Sequence, residues 1–300
     1  MPIKMPDLKV TRSSHPAFSA FPSTRRVRVG NVVVGDGHPV VIAGPCTVES
    51  REQTLGIARA VRKAGGTMLR GGAYKPRTSP YSFQGLGPQG LEILAEARAE
   101  TGLPIVTEVL DPRLVEQVGS VADVLQIGSR SMQNFPLLVE VGRFGKPVLL
   151  KRGFGATVEE WIFAAEYVAL QGNLDIVFCE RGIRTFANGA YDRATLDLAA
   201  VEAIRRLTPF PIVVDPSHAA GDAALVPPLS AAALALGVHG LLIEVVLDEG
   251  ERSRVRCDGE QGVTPDVLRR IVERAEMPNL YRRGFGVLTV EGTSRAGIDG

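Results

Sequence analysis

Eight short apolar runs, separated by amphipathic stretches, constrain this chain more than any other feature. The runs are VVIAGP (40–45), TMLRGGA (67–73), PIVTEVL (104–110), DVLQIGSR (123–130), PVLLKRG (147–153), DIVFCERG (175–182), PIVVDPSH (211–218) and GLLIEVV (240–246). Between them lie segments such as REQTLGIARAVRKAG, GLEILAEARAETG, TVEEWIFAAEYVALQG and RATLDLAAVEAIRRL, where apolar residues recur at helical spacing. Continuously apolar strands are buried on both faces, and strands alternating with helices pair in parallel. Eight such units within about 240 residues predict a (β/α)8 barrel, with an open doubly wound sheet as the competing arrangement.

Composition bounds the rest. A chain of 300 residues, 45% hydrophobic, is long enough for one large core or two ordinary domains. A formal net charge of +1 speaks against nucleic acid as a partner, because such proteins carry a basic excess. Three cysteines without tight spacing make no disulfide framework and fit a reducing, cytoplasmic setting. About the first 25 residues are polar, proline-containing and aperiodic, an arm without an apolar core of signal-peptide length. RVRVGNVVVGDG then reads as a β-hairpin turning at Gly30-Asn31. The uncharged run AALVPPLSAAALALGVHGLLI (223–243) contains Pro227, Pro228, Gly237 and His239, so it reads as a buried helix and strand rather than a membrane span. The expected organisation is an arm and hairpin (1–39), a barrel (40–278) and a tail (279–300).

Each run ends in charged or reactive residues. These are Cys46; Arg70, with Lys75 and Arg77 beyond it; Glu108; Arg130; Lys151; Glu180 and Arg181; Asp215 and His218; and Glu244. In a (β/α)8 barrel the C-terminal strand ends surround one mouth, where the chemistry sits. There Arg70, Lys75, Arg77, Arg130, Lys151 and Arg181 would form a positive cup for phosphate and carboxylate oxygens. One such contact is worth about 4 kcal/mol gross at about 4 Å and an effective dielectric of about 20, before desolvation. Six cations exceed the need of a single phosphate and point to two anionic substrates, or one with several anionic groups. In GGAYKPRTSPYSFQG (71–85), Arg77, Thr78 and Ser79 are spaced to wrap one phosphate, with Pro76 and Pro80 pre-setting the loop.

Cys46, His218 and Glu244 fall at the ends of the first, seventh and eighth runs. First and last strands are neighbours in a closed barrel, so a thiolate, an imidazole and a carboxylate converge, a set that favours a borderline divalent transition metal. Asp258, in RCDGEQG, is the candidate fourth ligand. Cys257 beside it brings a second thiol toward the same ion, and oxidation without metal would close a Cys46–Cys257 disulfide; alternatively, Cys257 points away and fills an apolar gap. His239 precedes Glu244 on one strand by about 16 Å, at ~3.3 Å per residue, and belongs to the opposite end. His15 and His38 lie away from the strand ends. GLGPQG (85–90) matches G-x-G-x-x-G, but it follows a loop and contains Pro88, so it reads as the approach to a helix starting near Leu91.

The segments IAGPCTVES, LRGGAYKPRTSPYSFQGLG, QIGSR, LLKRGF, CERGIRTF, VDPSH and CDGEQ, in this order from about Val40 to Pro278, resemble 3-deoxy-D-arabino-heptulosonate 7-phosphate (DAHP) synthases. They look like the short bacterial and archaeal type, itself similar to 3-deoxy-D-manno-octulosonate 8-phosphate (KDO8P) synthases. The resemblance implies a (β/α)8 barrel and a metal-dependent condensation of phosphoenolpyruvate with erythrose 4-phosphate, the first step of the shikimate pathway. It also implies a homo-oligomer (dimer or tetramer) and a divalent ion, Mn2+ or another such as Fe2+, Co2+ or Zn2+. By resemblance, Cys46, His218, Glu244 and Asp258 hold the metal, and Arg70, Lys75, Glu108, Ser129, Arg130, Lys151 and Arg181 surround phosphoenolpyruvate. Lys75, Pro76, Arg77, Thr78 and Ser79 take the aldose phosphate. Lys75, Glu108 and His218 share the acid, base and water-positioning roles, which the sequence leaves unseparated. The KDO8P branch is nearer KANRSS than KPRTSP in this loop, which makes KDO8P synthase the second expectation. A non-catalytic sugar-phosphate-binding barrel is a third, against which the full ligand set speaks. Many relatives carry an added regulatory domain; the arm, hairpin and tail are too short for one, so a bare catalytic barrel is expected.

Overall fold

The computed structural model describes residues 24–186, 193–257 and 259–277. An antiparallel hairpin comes first, β1 (Val27–Val29) and β2 (Val32–Val34), turning through Gly30 at φ +58°. Eight parallel strands follow: β3 (Val40–Gly44), β4 (Met68–Arg70), β5 (Ile105–Glu108), β6 (Val124–Ile127), β7 (Val148–Lys151), β8 (Ile176–Glu180), β9 (Ile212–Val214) and β10 (Gly240–Glu244). They close into a barrel in sequence order, and β10 returns to β3 in the register Gly240↔Val40 to Glu244↔Gly44. This is the (β/α)8 barrel that the alternation predicts.

Strand residues split by parity into two cores. Val41, Leu69, Ile105, Leu125, Leu150, Phe178, Val214 and Ile243 pack with the surrounding helices. Ile42, Met68, Val106, Val124, Leu149, Cys179, Val213 and Leu242 form an inner cluster. Val27, Val29 and Val34 of the hairpin join that inner cluster, and Gly30 faces Pro104 just ahead of β5, so the hairpin closes the N-terminal end of the barrel. The position two residues beyond most inner apolar residues is polar and buried: Arg70, Glu108, Gln126, Lys151, Arg181, Asp215 and Glu244. A period of two therefore carries these side chains to the C-terminal mouth.

The same parity corrects one expectation. Glu180 follows Cys179 by one residue and faces outward, where its carboxylate accepts from Arg152 Nη1 (3.2 Å) and Gly182 N–H (2.7 Å). It does not line the mouth. Instead, this buried network anchors the loop after β8, with Arg152 also donating to Asp197 at 2.8 Å.

Two helix starts also differ from the periodic reading. The helix Pro88–Thr101 begins at Pro88 rather than near Leu91; Pro88 sits in the first turn, where a missing N–H costs nothing, and Gly87 precedes it at φ +59°. The segment RATLDLAAVEAIRRL is helical only over Leu198–Leu207, because Asp197 caps Ala200 N–H and Thr195 is tied to Ile183 by a β-bridge. The uncharged run 223–243 resolves into the helix Val226–Leu236 and strand β10, and no helix among the described residues is long and apolar enough to cross a membrane.

Candidate active site

The C-terminal mouth holds a cavity of about 350 Å³. Its lining includes every residue expected at the substrates: Arg70, Lys75, Pro76, Arg77, Thr78, Ser79, Glu108, Ser129, Arg130, Lys151 and Arg181, together with His218. Arg70, Lys75, Lys151 and Arg181 are buried. Lys151 Nζ pairs with Asp215 Oδ2 at 2.6 Å, and Arg181 Nη2 donates to the His218 carbonyl at 2.9 Å. By contrast, Arg70 Nε and Nη1 and the Ser129 hydroxyl are buried without a hydrogen-bond partner among the described residues. A buried polar group left so costs about 1–3 kcal/mol, more when charged, and a bound oxyanion would offset that cost.

Burial disfavours the charged form of Lys75, but Cys46, Glu108 and Cys257 outweigh it and push its pKa up. Lys75 Nζ lies 3.4 Å from both the Cys46 carbonyl and its sulfur. Glu108 lies against Gly128, where a Cβ would come within 1.9 Å of its Oε1.

Beside the cup, ligand atoms of Cys46, His218 and Glu244 lie within 4.8 Å of one another. Asp215 aims the imidazole. It caps the short helix Pro216–Ala220 by accepting His218 N–H at 3.0 Å, and its Oδ2 takes His218 Nδ1 at 2.8 Å. Burial opposes the Asp215 charge, but His218 and Lys151 outweigh it and hold its pKa well below the ordinary carboxylate range. An ionised Asp215 only accepts, so Nδ1 donates to it, and the ring turns its Nε2 edge toward Cys46 Sγ (3.9 Å) and Glu244 Oε2 (3.6 Å). Sulfur, imidazole nitrogen and carboxylate oxygen at this spacing fit a divalent transition metal. Asp258, the expected fourth ligand, lies outside the described residues.

Cys257 Sγ is 3.3 Å from Cys46 Sγ and accepts from the Arg77 guanidinium. It does not point away, yet it falls outside the three-residue ligating group. The contact with Cys257, and then burial, push the Cys46 thiol up. His239 sits at the opposite end, its Nδ1 accepting from Ile212 N–H at 3.0 Å, and His38 is exposed on the hairpin side; His15 lies outside the described residues.

Sequence reasoning missed Ser82, Gln126, Gly128, Phe154, Arg184 and Arg193, all of which line the cavity. Strand parity would have found Gln126, two residues after inward Val124. Phe154 carries no charge to mark it, yet Arg130, Arg181 and Arg184 stand over its ring at 5.3, 4.7 and 4.9 Å.

Comparisons with known proteins agree with this geometry. The profile of the DAHP synthetase I family matches residues 9–277, which takes in the hairpin as well as the barrel. The phospho-2-dehydro-3-deoxyheptonate aldolase of Thermotoga maritima is 47% identical over 264 residues, covering 88% of this chain and 75% of the relative. A 2-dehydro-3-deoxyphosphooctonate aldolase of Syntrophotalea carbinolica is 34% identical, covering 82% of this chain and 93% of its own. The crystal structure of the Thermotoga maritima DAHP synthase superposes with a TM-score of 0.79 over 84% of this chain and 72% of that one, at 47% identity. Its truncated form gives 0.76 over 84% and 90%, at 43% identity. On the motifs, the barrel and these likenesses together, the chain belongs to the DAHP synthetase I family.

Proposed function

We propose that this chain condenses phosphoenolpyruvate with erythrose 4-phosphate, giving DAHP and inorganic phosphate. One observation carries the reading: a cup of buried cations opens beside the Cys46–His218–Glu244 group at a single barrel mouth. The substrate pair brings two phosphates and a carboxylate, which matches a cup with more cations than one phosphate can use. Arg70, Ser129, Arg130, Lys151 and Arg181 take phosphoenolpyruvate, the Arg70 and Ser129 atoms that make no hydrogen bond among the described residues supplying donors. Lys75, Pro76, Arg77, Thr78 and Ser79 take the aldose phosphate.

Cys46, His218 and Glu244, with Asp258 as the fourth ligand that the resemblance implies, would hold a divalent ion such as Mn2+, which would supply Lewis-acid polarisation of the aldehyde oxygen. The enol carbon of phosphoenolpyruvate attacks the aldehyde carbon, water adds at C2 and phosphate leaves. Lys75, whose pKa is raised, stays an ammonium at neutral pH and donates a proton to the new hydroxyl oxygen. Glu108, at the end of β5, positions the water. The cations lower the cost of bringing like-charged substrates together.

Phosphate release with both substrates and Mn2+ tests the reading. Turnover with erythrose 4-phosphate, and little with a pentose phosphate, is expected. Turnover with the pentose phosphate alone would move the chain to the octulosonate branch, and none with either aldose would leave a binding barrel.

A further inference from the structure

Gln261 is fully buried on the 3-10 turn Gly259–Gln261, beyond β10, and no step above uses it. Its amide stands between the two halves of the site. Nε2 donates to Glu244 Oε2 at 2.8 Å, and Oε1 accepts from Arg193 Nη1 at 2.7 Å. Glu244 belongs to the ligating group, and Arg193 lines the cup. A guanidinium only donates and an ionised carboxylate only accepts, so the two neighbours decide which end of the amide faces which.

Both ends of this chain are seated on backbone. Val263 N–H donates to the Glu244 carbonyl at 2.9 Å and Val246 N–H to the Val263 carbonyl at 3.1 Å, docking the turn on the end of β10. The Arg193 stem rests on Gly221, where a Cβ would meet its Cδ at 2.6 Å. Glu244 Oε2 also lies 3.8 Å from Arg70 Nη1, on the substrate side. The Gln261 bond opposes a turn of the carboxylate toward that cation and away from the ligating group.

We propose that Gln261 is a positioning residue linking the metal group to the anion cup: it holds Glu244 for the ion and Arg193 for a substrate phosphate or carboxylate. This rests on the function proposed above. Because the link is mutual, disturbing Arg193 disturbs metal affinity through Gln261, and the reverse.

The test is Mn2+ binding to the metal-stripped protein without substrates, read from the electron paramagnetic resonance signal of free Mn2+. Gln261→Met keeps the volume and removes both bonds; the dissociation constant is expected to rise about tenfold or more, the range for groups that orient a metal ligand. Arg193→Met gives the discriminating sign. Loss of a nearby positive charge by itself tightens cation binding. Loss of the relay's donor instead loosens the amide, so the relay requires weaker binding, by severalfold. The double variant should bind no more weakly than Gln261→Met alone. Unchanged or tighter Mn2+ binding in Arg193→Met overturns the proposal, and so does an additive double variant. Arg193 is exposed, so its variant keeps the test decisive if Gln261→Met does not fold. A wild type that binds no Mn2+ sinks the metal site and the relay together. A wild type that turns over, with both variants binding Mn2+ normally, sinks the relay alone.

Discussion

Arg77 and Cys257 show how one side chain can serve two neighbours. The Arg77 guanidinium reaches Cys257 Sγ while also lining the cup. Arg77→Ala is expected to raise the KM for erythrose 4-phosphate most, by a factor equivalent to about 2 kcal/mol for a charge-assisted contact. An effect confined to phosphoenolpyruvate would show that this loop faces the other substrate. The sulfurs make a second prediction. Cys46 and Cys257 are 3.3 Å apart, and a bound ion would engage Cys46. In metal-stripped protein, hydrogen peroxide should oxidise one of the two sulfurs to a sulfenic acid, which the other then attacks; a disulfide forms and the peroxide oxygens leave as water. Thiol titration should show two thiols lost, Mn2+ should protect them, and dithiothreitol should restore them. Equal inactivation rates in Cys257→Ser and wild type would exclude the pair.

At the scale of elements, the short helix Pro216–Ala220 matters beyond its length. Its cap, Asp215, orients His218 and neutralises Lys151 from β7, so one carboxylate ties two strands to one turn. Asp215→Asn leaves Lys151 buried without its counter-charge and is expected to cost about 3 kcal/mol in denaturant unfolding of the metal-free protein. Unchanged stability would mean that other groups hold Lys151. The pH dependence has a definite sign. The folded-state pKa of Asp215 lies below its unfolded value, so its stabilisation is complete above the unfolded value and is lost as pH falls through the folded one. The acid side of the stability profile should therefore be shallower in Asp215→Asn than in wild type.

For the whole molecule, the barrel gathers more cations at one mouth than Asp215 and Glu244, which pair with Lys151 and Arg70, can offset. Arg70 Nε and Nη1, without a hydrogen bond among the described residues and beside Lys75, Lys151 and Arg181, mean that an anion should stabilise the fold. Phosphoenolpyruvate at about 100 times its dissociation constant should add about 2.7 kcal/mol, seen as a higher Tm. Treatment with a strong chelator should abolish turnover and Mn2+ should restore it; full activity in verified metal-free protein would remove the metal from the reaction.

Much of this was legible in the sequence because it is local. Strand and helix periods, and the polar residues that end each apolar run, are short-range patterns, and they place Arg70, Glu108, Lys151, Arg181, His218 and Glu244 at one mouth without coordinates. Tertiary structure decided what depends on phase and on distance along the chain. Glu180 and Arg181 are adjacent and both charged in the sequence, yet pleat parity sends one outward to Arg152 and the other to the cup. Arg193 looked like the first turn of a helix until the Ile183–Thr195 bridge drew it into the loop over the site. The hairpin was readable but its destination, the far end of the barrel, was not. The contacts between Cys46 and Cys257 and between Arg193 and Gln261 join positions 211 and 68 residues apart. Such pairs leave no periodic trace, because only closure of the barrel brings them together.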